Sequence, residues 1–316
     1  MEDKFAPYVA ALGRGPGRSR DLTQEEARTA FGLILEGAAD RAQIGAFLML
    51  LRYRGENPAT IAGLVQAARD HIGLPLPGLA ADLDWPSYGA GRTREAPWFL
   101  LAALALAASG VAICMHGSNE FGAGQSVPEA LQVLEIAPAR NAVEAAEQLR
   151  ARRFAYLPLA AFAPKLDELL GLRRLFGLRS PVNTLVRLLD PADAGASVDG
   201  VFHPPYIETH LGAAALLGRP RLLVIKGGGG EAERSGEKPT IAYRWQQDHG
   251  RAEFTFPILS PRAEAETTGI RAVWHGETPA PTAVLATIAL AWFALGRAET
   301  PEEADQRAIK IWEERK

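Results

Sequence analysis

The sequence predicts an α/β protein in two parts: a small N-terminal helical domain over residues 1–75, and a larger α/β domain with a central, mostly parallel sheet. Three observations predict it. The first 75 residues carry helical periodicity and helix caps with no strand signal. From Trp85 onward short apolar strands alternate with helices, which implies a parallel sheet with helices on both faces. Between the two, from Leu74 to Trp85, Pro and Gly become frequent and periodicity disappears, as in a hinge or linker.

In the helical part, Phe5, Tyr8, Val9 and Leu12 share one face of a helix that stops at Gly13. Thr23 with Glu26 three residues on is a capping box opening the next helix. The run Ala42–Leu51 is almost wholly apolar, so that helix is covered on most sides, in part by a subunit contact. Asn57 as N-cap and Pro58 at the first helical position open a fourth helix.

Beyond the linker the pattern predicts a strand over 85–88, a helix over 96–108, a strand over 111–114, helices over 127–134 and 141–150, and a strand over 154–158. Lys165–Leu189 reads as helix again and crosses back to complete the helical domain, so the α/β domain takes residues 80–162 and 192–316. A helix over 204–217, a strand over 221–225, the glycine loop Lys226–Gly230, two strands near 240–257 and a terminal helical pair finish the chain. Trp98–Met115 is apolar enough to raise a membrane span. Ser109-Gly110 interrupts it, and the stretch reads as a buried helix and a buried strand, with no membrane partner expected.

Of 316 residues 47% are hydrophobic and 22% charged, the balance of a globular chain. The net charge of -3 gives no overall attraction to a polyanion, so a nucleic-acid partner would need local basic clusters. The basic residues are nearly all Arg, which suits bidentate recognition of phosphate and carboxylate. A single cysteine, Cys114, excludes an internal disulfide, and with no export segment at the start it points to the cytoplasm.

The stretch Ser87–Asn119 organises the candidate chemistry. A glycine loop, Tyr88-Gly-Ala-Gly-Arg92, feeds a buried helix that returns through a strand to a second polar loop, Met115-His-Gly-Ser-Asn119. Two such loops at one end of a parallel sheet form a ligand site, here an anion or phosphate site of Gly89, Gly91, Arg92, Arg94, His116, Gly117 and Asn119. A second group, Arg14, Arg18 and Arg20 on a glycine-rich connection and Arg173, Arg174 and Arg179 on the crossing segment, would contact an acidic acceptor or nucleic-acid phosphates. The competing readings are a solvated connection and an interdomain ion-pair cluster. Lys226–Gly230 reads as a mobile lid or a surface loop. Glu233, with Glu231, is the candidate for a metal, and two carboxylates alone are more often solvent-exposed. Cys114 reads as a buried hydrophobe, and Trp85 and Trp98 as core residues or stacking platforms for a base.

Ile34-Leu-Glu-Gly37, Gln43-Ile-Gly-Ala-Phe-Leu-Met49, Arg52, Gly55-Glu56 and Ile61-Ala-Gly63 resemble the helical dimerisation domain of the anthranilate phosphoribosyltransferase-like proteins, glycosyltransferase family 3. Pro164, Arg173-Arg174, Gly177-Leu-Arg179 and Asn183 resemble that family's segment crossing between domains. The resemblance covers nearly the whole chain. It implies a nucleoside phosphorylase/phosphoribosyltransferase-like fold and a homodimer formed through the helices. In active members it also implies transfer from phosphoribosyl pyrophosphate to anthranilate or a similar aromatic acceptor with magnesium, and it puts Arg173 at the acceptor's carboxylate.

The departures decide the expected function. Where active members carry Gly-Thr-Gly-Gly-Asp, this chain has Tyr88-Gly-Ala-Gly-Arg92; their Asn, Ser and Thr ligands become Ala96-Pro-Trp-Phe-Leu-Leu101. Their Lys-His-Gly-Asn becomes Met115-His-Gly-Ser-Asn119, and their magnesium-binding Asp-Glu becomes Ala232-Glu233. Losing hard oxygen ligands leaves a pyrophosphate uncompensated. Pro86-Ser-Tyr88 to Arg92, Gly13-Arg-Gly15, Arg20-Asp-Leu22 and His203-Pro-x-Tyr206-Ile207 resemble the YbiB-like branch, for which the resemblance implies sequence-independent nucleic-acid binding by a homodimer. The expectation is a catalytically degenerate binder with no catalytic residue assigned and no cofactor. The alternative is an active phosphoribosyltransferase using magnesium. A nucleoside phosphorylase ranks last, because it would need Lys where Met115 stands.

Overall fold

The computed structural model describes residues 3–15, 17–89, 96–118, 124–259 and 269–315. Four helices open the chain: α1 (Ala6–Gly13), α2 (Gln24–Leu35), α3 (Arg41–Arg54) and α4 (Pro58–Ile72). Their starts are chemically fixed. Thr23 and Glu26 form the capping box of α2, Asp40 and Gln43 form one for α3, and Asn57 Oδ1 accepts the Thr60 N–H of α4.

Glu26 also forms a two-pronged pair with Arg20, at 2.7 and 2.6 Å. Arg20 first, then the Thr23 N–H, holds the Glu26 carboxyl down to about 2 from its ordinary 4.5. A depressed carboxylate stabilises the fold above its unfolded pKa and loses that contribution as pH falls towards the folded value. Glu26→Gln is therefore expected to lower the melting temperature at pH 7 and to leave it unchanged at pH 2, as followed by circular dichroism.

The sheet follows. In chain order come β1 (Leu83–Ser87), α5 (Trp98–Ala108), β2 (Ile113–Gly117), α6 (Val127–Val133), α7 (Ala142–Arg152) and β3 (Phe154–Pro158). Next is a crossing segment of α8 (Leu159–Phe162), α9 (Pro164–Gly171), α10 (Arg173–Phe176) and α11 (Val182–Leu185), ending in a 3₁₀ turn over Val186–Leu188. The chain then runs through β4 (Ala196–Val201), α12 (Pro205–Leu216), β5 (Arg221–Lys226), β6 (Thr240–Gln246), β7 (Gly250–Phe256), α13 (Ile270–His275), α14 (Thr282–Ala294) and α15 (Pro301–Glu313). The seven strands lie in the order β3-β2-β1-β4-β5-β6-β7. The first five are parallel, and β6 and β7 are antiparallel additions.

Each face of the sheet is covered. Leu83, Trp85, Met115 and Val198 pack with the almost wholly apolar α5 and α14 and with α15. Leu222 and Val224 pack with α12, the four opening helices and the crossing segment in a second core. α7 closes a smaller third core with Cys114, Ala155 and Leu157. No helix among the described residues is long and apolar enough to cross a membrane.

Three features depart from the sequence reading. The stretch 165–189 is not one helix; Gly177 at φ 67 and Pro181 break it into α9, α10, α11 and the 3₁₀ turn. The strand β4 has no apolar signature, because its Asp199 is buried among polar partners. The glycine stretch after β5 is not an open surface loop: it closes into a 3₁₀ turn over Gly228–Gly230, with Gly227 and Gly230 buried. A Cβ at Gly227 would lie 1.6 Å from the Glu231 carbonyl oxygen, so the turn is packed tightly enough to require glycine there.

Candidate functional site

β1 and β4 are neighbours, and the strand order runs outward from them in opposite directions, so their carboxyl ends form the switch point of the sheet. Open α/β sheets leave a crevice there. A cavity of about 190 Å³ occupies it, lined by Tyr88 beyond β1, by Gly200–His203 at the end of β4, and by Tyr206 and His210 of α12. The helical unit supplies Arg52 and Glu56, the crossing segment supplies Arg179, Ser180, Asn183, Thr184 and Arg187, and Gly229 and Gly230 complete the wall.

Two polar networks shape it. In the first, the buried Glu56 carboxylate accepts from the Thr184 hydroxyl and, at 3.3 Å, from the Tyr206 hydroxyl, with Arg52 Nη1 at 3.8 Å. Arg52 also donates to the Tyr206 hydroxyl, and Thr209 Oγ1 donates to the Glu56 carbonyl at 3.0 Å. Burial pushes the Glu56 carboxyl above its ordinary value, against the opposing pull of Thr184, Arg52, Tyr206 and His210. In the second, Asp199 sits 2.5 Å from His210 Nδ1 and 3.1 Å from Arg187 Nη1, and accepts the Gly200 N–H at 2.8 Å. Burial alone would raise Asp199, but His210 and Arg187 together hold it below the usual carboxylate range.

Arg179 is different. Among the described residues its guanidinium makes no hydrogen bond or ion pair. Burial lowers its proton affinity, and the like charges of Arg173, Arg187 and Arg52 lower it further. Arginine neighbours that repel one another around an uncommitted guanidinium make an electropositive wall, the converse of a structural ion-pair cluster.

Of the anion-loop residues expected from sequence, Gly91, Arg92, Arg94 and Asn119 lie outside the described residues. Gly89 lies against the buried carboxylate of Glu231. His116 does not line the cavity: it is fully buried, with Nδ1 2.7 Å from the Tyr88 hydroxyl and Nε2 3.2 Å from Asp84 Oδ1. Gly117 is buried beside it at the end of β2. These two serve the core below the cleft, with Tyr88 as the link, since the Arg187 guanidinium stands 6.0 Å from its ring centre.

Arg14 and Arg18 are exposed on the α1–α2 connection, whereas Arg20 is committed to Glu26. Arg174 is exposed on α10, and Arg173 is near enough to Arg179 to affect it. Arg179 alone of this group lines the cavity. Trp85 is buried and stacks on Phe99, Trp98 packs against the same core, and burial pushes the Cys114 thiol well up, so all three are packing residues.

Sequence reasoning missed Glu56, Arg187, Asp199 and His210 as site residues. Arg52, Glu56 and Asn183 stood in the family-like motifs without a site role, and Tyr206 and His203 in the His203-Pro-x-Tyr206-Ile207 motif.

Magnesium, implied by the resemblance for active members, finds no prepared oxygen set among the described residues. Glu233 Oε2 accepts the Phe99 N–H at 2.9 Å and so caps the start of α5. The Glu231 carboxylate is buried against Gly89, and no three His, Cys, Asp or Glu side chains group to hold a metal among the described residues. These residues do not fit the ion.

Comparison with known proteins agrees with the fold. Residues 6–72 match the helical bundle domain of the glycosyl transferase family, and residues 99–311 match its a/b domain. The anthranilate phosphoribosyltransferase of Gluconobacter oxydans is 29% identical over 287 residues, covering 89% of this chain and 76% of that protein. The protein YbiB of Escherichia coli K12 is 28% identical over 207 residues, 64% of each chain. The crystal structure of anthranilate phosphoribosyltransferase from Thermus thermophilus superposes with a TM-score of 0.77 at 22% identity, over 99% of this chain and 95% of that one. With both of its domains matched in order, the chain belongs to the anthranilate phosphoribosyltransferase-like glycosyl transferase family.

Proposed function

We propose that this chain is a catalytically silent member of its family, a homodimer that binds nucleic acid or another phosphate-bearing ligand without sequence specificity and without a metal. The observation that carries this reading is the distribution of charge. The switch-point cleft presents Arg52, Arg179 and Arg187, with Arg179 uncommitted among the described residues. Of the acids nearby, Glu231 is buried against Gly89 and Glu233 accepts the Phe99 N–H.

The start of α5 supports silence. A helix N-terminus offers free N–H groups to a phosphate. Here Glu233 takes the Phe99 N–H, while Phe99, Leu100 and Leu101 are buried where the family carries hydroxyl and amide ligands. Met115, in place of the family's lysine, is fully buried. A carboxylate capping this helix opposes a pyrophosphate that arrives without metal.

The homodimer reading draws on exposed apolar side chains of the helical unit and crossing segment: Tyr53 on α3, Leu175 on α10 and Leu178 beyond it. α3 and α10 adjoin, since a Cβ at Gly45 would lie 3.7 Å from the Phe176 ring. Large exposed apolar side chains on neighbouring elements are candidates for a subunit contact.

Fluorescence anisotropy with single- and double-stranded oligonucleotides at 50–200 mM salt tests the reading. Three phosphate contacts to a single strand predict a loss of affinity of about 20-fold across that range, unaffected by a chelator. No binding at the lowest salt would end it.

The second reading, phosphoribosyl transfer with magnesium, is favoured by the relatives' names and by Glu231 and Glu233 standing near the family's acid pair. It requires metal-dependent binding of phosphoribosyl pyrophosphate.

A further inference from the structure

The charge of the cleft suits a terminal phosphate better than an internal one; this inference rests on reading the chain as a metal-free binder of phosphate-bearing ligands. We propose that the switch-point cavity is a site for one phosphomonoester group of a nucleotide, free or at a strand terminus, gripped by Arg179 with Arg187 and Arg52 and stacked through its base on Phe202.

Size comes first. At about 190 Å³ the cavity is smaller than the roughly 300–1,000 Å³ that encloses a drug-sized ligand. It admits a phosphate and part of its sugar. An internal phosphodiester carries a sugar on each side and one charge, whereas a terminal phosphate carries one sugar and up to two charges.

Charge comes second. Arg52 and Arg187 are partly neutralised by Glu56 and Asp199, so the uncommitted positive charge centres on Arg179. A carboxylate ligand would satisfy one guanidinium fork. A phosphomonoester carries about -1.5 to -2 charges at neutral pH and three acceptor oxygens, enough to bridge several arginines and relieve their mutual repulsion.

The rim comes third. Phe202 lines the cavity directly beyond β4, yet is 47% exposed, and its ring meets that of His203 edge to face at 4.8 Å. An exposed aromatic at the mouth of a basic pocket is a stacking surface for a base, which favours a nucleotide over a simple sugar phosphate.

The test is anisotropy, in the full-length protein with a chelator present, on single-stranded ten-mers bearing a 5′-phosphate, a 3′-phosphate or hydroxyl at both ends. Nucleoside monophosphate, inorganic phosphate and anthranilate serve as competitors. The expected result is that one phosphorylated end binds about tenfold tighter than the hydroxyl-ended strand, and that the mononucleotide removes this advantage. Arg179→Ala is expected to cost the phosphorylated end about tenfold more than it costs the hydroxyl-ended strand, and Phe202→Ala weakens the mononucleotide without changing inorganic phosphate. Because Arg179 has no partner among the described residues, Arg179→Ala should melt with the parent protein; Arg179→Lys, which keeps the charge and loses the fork, should fall between the two in affinity.

Equal affinity for all three ends, or an equal loss for all three in Arg179→Ala, overturns the inference and leaves nucleic-acid binding standing. Displacement by anthranilate as effective as by the mononucleotide overturns the phosphate assignment. Failure of every strand to bind overturns both this inference and the reading beneath it.

Discussion

Asp305→Ala is expected to lower the unfolding free energy by about 3–5 kcal/mol, the cost of leaving a buried charge without its partner. Arg234 is fully buried, with Nη1 2.5 Å from Asp305 Oδ1 and Nη2 3.2 Å from Oδ2. Its guanidinium lies 4.6 Å from the Phe256 ring centre, and its backbone N–H donates to Thr287 Oγ1 at 3.1 Å. One arginine thus ties the segment after β5 to β7, α14 and α15. Removing the carboxylate leaves the Pro257 carbonyl as the guanidinium's remaining hydrogen-bond acceptor among the described residues. The consequence reaches the site, because Glu233, next in sequence, caps α5. Urea denaturation measures the loss, and a change under about 1 kcal/mol would show that the pair is dispensable.

Gly63→Val is expected to cost about 3 kcal/mol or more and to remove ligand binding with it. A Cβ at Gly63 would stand 2.2 Å from the Gln24 carbonyl oxygen and 2.9 Å from the Ala27 Cβ. The obstruction is backbone, which cannot rotate aside as a side chain can, so α2 and α4 must separate. α4 also packs on α12, which carries Tyr206 and His210 into the cleft, while the helix before it brings Arg52. Denaturation and oligonucleotide binding measured on the same preparation should fail together. Normal binding by a destabilised variant would uncouple the helical unit from the site.

The fold was legible where local chemistry decides it. The capping box at Thr23–Glu26, the N-cap at Asn57 and the chain break at Ser109-Gly110 each act within a few residues, and each stands as the sequence implies. β4 escaped because Ala-Ser-Val-Asp-Gly-Val lacks an apolar run; Asp199 is tolerated in the sheet interior only because His210 and Arg187 meet it there.

The cleft escaped for a related reason. Arg52 reaches Tyr206, and Thr184 reaches Glu56, across 154 and 128 positions of sequence. No spacing rule spans such gaps, so the loops at Gly89 and His116 attracted attention that the distant arginines warranted more. His116 shows the other limit: the same residue serves a ligand or a core, and only its burial between Tyr88 and Asp84 places it in the core.

The central claim, that the family's metal-dependent phosphate chemistry has given way to metal-free anion binding, is tested most directly by calorimetry with phosphoribosyl pyrophosphate in the presence of magnesium and then of a chelator. The account predicts the same weak heat under both conditions and no product with anthranilate. Tight binding that vanishes with the chelator, accompanied by turnover, would contradict it.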